Sequence, residues 1–97
     1  MARPIKIATL GNAFLDRVLS VSALPTGAGK MRVLRQVESG GGIAATAACT
    51  AARFNASSLC YSRLGSDAAG NEIIRRLEFF GVRTDGILRV DQGRSAQ

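Results

Sequence analysis

A parallel α/β fold is what this sequence predicts, on three observations. Strand-like and helix-like stretches alternate in the order β, flap, α, β, α, β, as crossover units do in a parallel sheet. The clearest helical stretch carries a stripe of small residues suited to close packing on what lies beneath it. Finally, 97 residues that are 46% hydrophobic and 21% charged make one modest domain with a single core. That composition excludes a disordered tail, a collagen-like repeat and a coiled coil.

Each element has its own justification. Ile5-Lys6-Ile7-Ala8-Thr9-Leu10 is an apolar run closed by Gly11-Asn12, a buried first strand and its turn. Arg17-Val18-Leu19-Ser20-Val21 is apolar and β-branched, hence extended. Leu24-Pro25-Thr26-Gly27-Ala28-Gly29 has the composition of a turn. Lys30 to Glu38 then alternates, with Met31, Val33 and Val37 on one side and Arg32 and Gln36 on the other. Strand, turn and strand together predict a small β-flap, residues 17–22 and 30–38, inserted into the body.

Ser39-Gly40-Gly41-Gly42 opens the helix, where Ala44, Ala47, Ala48, Ala51 and Ala52 recur at i, i+3, i+4, i+7 and i+8. Ser57–Leu64 reads as a strand and Gly65-Ser66-Asp67 as a turn, with Ser66 or Asp67 as the next N-cap. Ile73, Ile74, Leu77 and Phe80 give a second helix its apolar face, and Gly81 suits its C′ position. Val82 to Val90 should contain one more strand. The last residues, Arg89 to Gln97, follow a turn without a packing element of their own. A three-strand half-sheet would leave an open edge and uncovered apolar surface, so the chain reads as a piece of a larger fold.

Charge and cysteine usage narrow the function. Thirteen Lys and Arg against seven Asp and Glu leave a net charge of +6, which invites a nucleic-acid reading. The arginines, however, are scattered from Arg3 to Arg94, and no basic/aromatic alternation accompanies the five aromatic residues. No nucleic-acid partner is expected. Cys49 and Cys60 lack CxxC spacing and the chain has no His, so they read as buried thiols and no metal site is expected. The Gly- and Ala-rich stretch from Glu38 to Arg53 has too little apolar surface for a membrane span. The apolar run in Met1–Leu10 is too short for a signal peptide. A cytoplasmic protein without a membrane partner is the expectation.

Three motifs carry chemistry. Thr26-Gly27-Ala28-Gly29-Lys30-Met31 resembles a phosphate-binding P-loop only superficially, because Leu24 stands where Gly is needed and Met31 where Ser or Thr is needed. It is a flexible turn, and Lys30 is either a solvated charge or an anion ligand. Gly40-Gly41-Gly42 at a helix start allows close backbone approach to a ligand and offers N–H groups to oxygen atoms, or else is a tight turn. Asp16 follows the first strand within a few residues, at the carboxyl edge where parallel sheets bind ligands. It is otherwise a turn or cap residue.

Taken in order, Gly11-x4-Asp16, Leu24-Pro25-Thr26, Gly40-Gly41-Gly42-x-Ala44-Ala45-Thr46-Ala47-Ala48, Arg63-Leu64-Gly65-x-Asp67-x-x-Gly70, Leu77 and Gly81-Val82 resemble the N-terminal third of the ribokinase/PfkB carbohydrate kinases. The resemblance runs from about Ile5 to Gln97. Within that family the sequence is most similar to the sulfofructose kinases, in its Gly40–Ala48 run and its Pro25–Lys30 turn. Most members have Asn where Ala45 stands, and that side chain helps hold the sugar. The departure argues against plain ribose, fructose or adenosine.

The resemblance implies a ribokinase-like three-layer α/β/α body, present in part, with a β-flap lid that closes over the sugar and mediates a homodimer. It implies that Asp16 accepts hydrogen bonds from sugar hydroxyls and that Gly41 and Gly42 offer backbone N–H groups to the sugar. Ala45 would line the same pocket. Lys30, from the flap, would pair with an anionic substrate end, a sulfonate or phosphate. ATP and Mg2+ serve the whole family enzyme, but its Gly-Ala-Gly-Asp motif does not occur in this sequence. Residues 1–97 are therefore expected to form the sugar-binding portion without the ATP-binding part, with no catalytic residue and no kinase activity alone. The alternative is a small basic module that binds an anionic partner or itself.

Overall fold

The computed structural model describes residues 5–97. Lys6–Leu10 forms strand β1, Phe14–Ser20 β2 and Arg35–Gly41 β3; Ile43–Arg53 forms helix α1; Ser57–Gly65 is β4, Ala68–Phe79 helix α2 and Ile87–Val90 β5. A three-stranded parallel sheet has the order β1-β4-β5, and β2 and β3 make a separate antiparallel pair. The parallel α/β body and its two-stranded flap are as expected. Each parallel connection runs through a helix, the geometry that such crossovers require.

Alternation along β4 decides where the core lies. Ser58, Cys60 and Leu64 point to one side and are buried, and Ser58 Oγ donates to the Ala48 carbonyl of α1 at 2.7 Å. Ile73 and Leu77 of α2 join the same buried cluster, with Ala44, Ala45, Ala48 and Val82. Both helices therefore cover one face. The opposite face is bare: Leu10 is 86% exposed, and Leu88 and Tyr61 are exposed beside it. Among the described residues, two of the three expected layers are built. The flap projects from this body, so the chain measures 59 × 32 × 18 Å, with a radius of gyration of 16.3 Å against about 13 Å for a rounded domain of this size.

Several expectations shift. The flap strands lie at Phe14–Ser20 and Arg35–Gly41, not at 17–22 and 30–38. Their register pairs Phe14 with Gly41 and Ser20 with Arg35, so Gly40 and Gly41 are strand residues and only Gly42 caps the helix. Cross-strand pairing has overridden the helix-start reading of the glycines. Between the strands, residues 21–34 form no regular element; Pro25 has no N–H to give a ladder and three glycines or serines punctuate the segment. The Ala stripe is also rotated. Ala45 is buried and Ala47 exposed, because the turn after β1 packs on the first turn of α1, where the Ala45 N–H donates to the Asn12 carbonyl at 3.2 Å.

The second helix follows its signals more closely. Asp67, of the two candidates, is the N-cap and accepts from the Gly70 N–H at 2.8 Å. Gly81 follows the helix with φ +85°, the conformation that glycine tolerates best. Phe80 is the C-cap and remains exposed rather than joining the buried face. The final residues do pack, contrary to expectation. Ser95 is only 7% exposed, and Ala96 accepts from the Leu15 N–H of β2 at 3.0 Å. Polar bonding to Asp67 replaces the apolar contacts whose absence suggested a loose end.

Candidate functional site

The base of the flap, beyond the carboxyl end of β1, is where the candidate residues meet. The chain leaves β1 through Gly11, whose N–H donates to Tyr61 O and whose carbonyl accepts from Ser62 Oγ. Asn12 then lies against α1, Ala13 and Leu15 are buried, and Asp16 emerges exposed. In a parallel sheet this edge holds ligands because helix N-termini converge there.

Asp16 sits opposite Ser39 in the flap register, and its carboxylate leans over Gly41. A Cβ on Gly41 would stand 2.7 Å from the Asp16 Cγ and closer still to Oδ2. The glycine is what admits the carboxylate. Among the described residues, no side chain or backbone group donates to Asp16, and its acceptor capacity is open to a ligand. Gly42 comes next with φ +95°, and a Cβ there would meet the Asn12 carbonyl oxygen at 2.5 Å. Turn and helix start are thus locked face to face.

No side chain caps α1 and its first turn holds no acid. The N–H groups of Ile43 and Ala44 therefore have no helical carbonyl to bond, while that of Ala45 is taken by Asn12. A groove of about 350 Å³ runs from this corner between α1 and α2, lined by Phe14, Gly41, Ala45, Cys49, Ile73 and Leu77 among others. Burial pushes the Cys49 thiol up, and the nearby Cys60 adds to this. Cys49 is a poor thiolate nucleophile, and both cysteines are free.

The structure seats Asp16 on Gly41, next to Gly42, places Ala45, itself buried, along the groove that Gly41 also lines, and leaves Lys30 apart. Lys30 lines a separate concavity of about 230 Å³ formed by Pro25–Met31 of the flap loop. Phe14 and Ser39 also line the groove, with Ser39 opposite Asp16; Phe14 belongs to no motif, and Ser39 is legible only as the first residue of the glycine run. By sequence Asn12 is a turn residue; in the fold its carbonyl also anchors the corner by accepting from the Ala45 N–H.

The positive charge is dispersed. Arg75 and Arg76 pair with Glu72, Arg83 with Asp85, and Arg17 lies 3.9 Å from Glu38. Among the described residues, no three His, Cys, Asp or Glu side chains gather into a set able to hold a metal ion. No helix among them is long and apolar enough to cross a membrane.

Comparison with known proteins agrees with this geometry. The sequence pattern of the pfkB family of carbohydrate kinases matches residues 4–97. Among solved structures, the chain is similar to an Agrobacterium tumefaciens protein provisionally called a ribokinase, with a TM-score of 0.85 and 27% identity over 96% of this chain and 30% of that one. A Xylella fastidiosa fructokinase with bound ATP matches with a TM-score of 0.76 and 26% identity, over 96% of this chain and 28% of that one. A Cryptococcus neoformans ribokinase in complex with ADP shares the fold, with a TM-score of 0.76 and 20% identity over 94% of this chain and 28% of that one. The chain thus spans under a third of the length of these structures.

Proposed function

The chain belongs to the pfkB family of carbohydrate kinases, and on that premise we propose that it supplies the sugar-binding part of an ATP-dependent kinase that phosphorylates a sugar hydroxyl. One observation carries this reading: the unpartnered Asp16 carboxylate seated on Gly41, beside the unbonded N–H groups that begin α1. A carboxylate accepts hydrogen bonds from sugar hydroxyls, and N–H groups donate to sugar oxygens. Asp16 orients the sugar, Gly41 makes room for that carboxylate and Gly42 for the Asn12 carbonyl, and the backbone N–H groups of Gly41 and Gly42 face the sugar. Ala45 leaves room where most family members place an Asn.

The substrate class we propose is an anionic ketose such as sulfofructose. The support is the Pro25–Lys30 turn, the Gly40–Ala48 run and the missing Asn at Ala45. Lys30 on the flap pairs with the sulfonate or phosphate when the flap closes, in a site drier than the surface, where such a pair is worth more. The flap also joins two copies into a homodimer, through its exposed Val18 and Val37. ATP supplies the phosphoryl group in the whole enzyme. The Gly-Ala-Gly-Asp run that the family uses at its ATP site does not occur in these residues, and among the described residues no acidic set gathers for a metal ion.

The test is an ATP-coupled assay of the full-length protein against neutral, phosphorylated and sulfonated ketoses. Turnover of an anionic ketose, with the sugar KM raised about a hundredfold by Asp16→Ala and the ATP KM unmoved, is the expected result. An Asp16→Ala enzyme with an ordinary sugar KM would overturn the reading.

A further inference from the structure

We infer that Asp67 and Ser95 are positioning residues for Asp16, acting through a three-residue brace that ties the start of α2 to the flap. The inference rests on the proposed sugar site and deepens it. Asp67 does more than cap its helix: besides the Gly70 N–H, its carboxylate accepts from the Ser95 backbone N–H at 2.8 Å and from Ser95 Oγ at 2.7 Å. Ser95 Oγ in turn accepts from the Gly65 N–H at the end of β4, at 3.0 Å. Ser95 is thereby fixed to the rigid body from two sides, and it is buried.

The two residues after it reach the flap. The Ala96 carbonyl accepts from the Leu15 N–H at 3.0 Å, and Gln97 Oε1 accepts from Arg17 Nη2 at 3.1 Å. Leu15 and Arg17 are the neighbours of Asp16 on either side. The brace therefore reaches β2 on both sides of Asp16, through the backbone of Leu15 and the side chain of Arg17. Across the strand pair, the Asp16 carboxylate rests on Gly41. A two-stranded ribbon alone is marginally stable in water, so its placement over the site depends on such external ties. Releasing Ser95 loosens the backbone tie at Leu15 and the side-chain tie at Arg17 while the carboxylate itself stays intact.

The experiment separates a cap from a brace. In the full-length protein, Asp67→Ser retains an N-cap oxygen for α2 but lacks the second oxygen that Ser95 needs. Ser95→Ala removes the hydroxyl that joins Gly65 to Asp67. Each is expected to raise the sugar KM about tenfold with kcat and ATP KM within twofold. In an Asp16→Ala background the same changes should have no further effect on sugar KM, the non-additivity expected of residues that act through one another. Gln97→Ala, at an exposed position where folding is not at stake, should raise sugar KM in the same direction by a smaller factor.

Full additivity with Asp16→Ala, or folded variants with unchanged sugar KM, overturns the brace and leaves the sugar site standing. An Asp16→Ala protein with normal sugar KM removes the site itself, and the brace with it. Should Ser95→Ala and Asp67→Ser both fail to fold, Gln97→Ala decides, and an unchanged KM in that variant counts against the inference.

Discussion

The carboxylate of Asp16 rests on the Cα of Gly41, so close that a Cβ on the glycine would lie 2.7 Å from the Asp16 Cγ. A charged acceptor and a bare backbone position are thus one feature of the site. Gly41→Ala should push the carboxylate off its seat while the strand pair, with φ unremarkable at this position, survives. The expected outcome is a rise of about tenfold or more in sugar KM with little change in Tm, from kinetics and a thermal melt of the same preparation. A variant with an unaltered KM would mean that Asp16 moves aside without consequence.

How much of this site could be read from residues alone differs along the chain. Asp16 is legible from its place after the carboxyl edge of β1 and the triple glycine from its place before a helix, but only the family resemblance puts the two in one site. The role of each glycine is not legible. Gly40 and Gly41 read as helix-start residues until cross-strand partners, Leu15 and Phe14, claim them for β3. Local propensity carries no information about such a partner. Ala45 illustrates the same limit on a helix: the five-residue Ala stripe is correct in period, but the face it buries depends on where the Asn12 turn lands. The Ser95 brace is invisible for another reason. A polar serine between Arg94 and Ala96 has no pattern, and its burial rests on a carboxylate 28 residues away.

Asp67 should make stability depend on acid. The Ser95 N–H, the Ser95 hydroxyl and the Gly70 N–H hold its pKa down at about 2 from an ordinary 3.8. A group whose folded pKa is depressed contributes stability that is complete above its unfolded pKa and is lost as pH falls through the folded one. The window is therefore pH 4 down to 2. Glu72, drawn to about 2 chiefly by its hydrogen bond from Arg75, titrates in the same range. Thermal melts of the native and Asp67→Asn proteins across that window isolate Asp67: their Tm difference should shrink as pH drops. A constant difference means the carboxylate charge is irrelevant to the fold.

Lys30 lies on the flap loop, outside the groove that holds Gly41 and Ala45. Its proposed pairing with an anionic substrate requires the flap to close, and predicts a selective loss. Lys30→Ala should raise KM for a sulfonated or phosphorylated ketose about tenfold, the scale of a charge-assisted hydrogen bond. KM for a neutral ketose should stay put. Equal effects on both sugars would end the assignment. Salt offers a second check: an ion pair formed on closing weakens as ionic strength rises, more for the native enzyme than for the variant.

Val18 pairs directly with Val37 across the flap, and the two are 56% and 40% exposed. Residues two apart on a strand share a face, so this apolar patch continues from Asp16 and Ser39. A ribbon of two strands with an uncovered apolar face is a poor stand-alone element, and pairing with the flap of a second copy would cover it. Val18→Asp places a charge in that contact without touching the core, since the native side chain is largely in solvent. The full-length variant should elute as a monomer in light-scattering chromatography, and the native protein as the proposed dimer. Its sugar KM should also rise, because the face that loses its cover is the one that carries Asp16. A variant that stays dimeric places the subunit contact elsewhere, and a dimer lost with KM unchanged separates assembly from sugar binding.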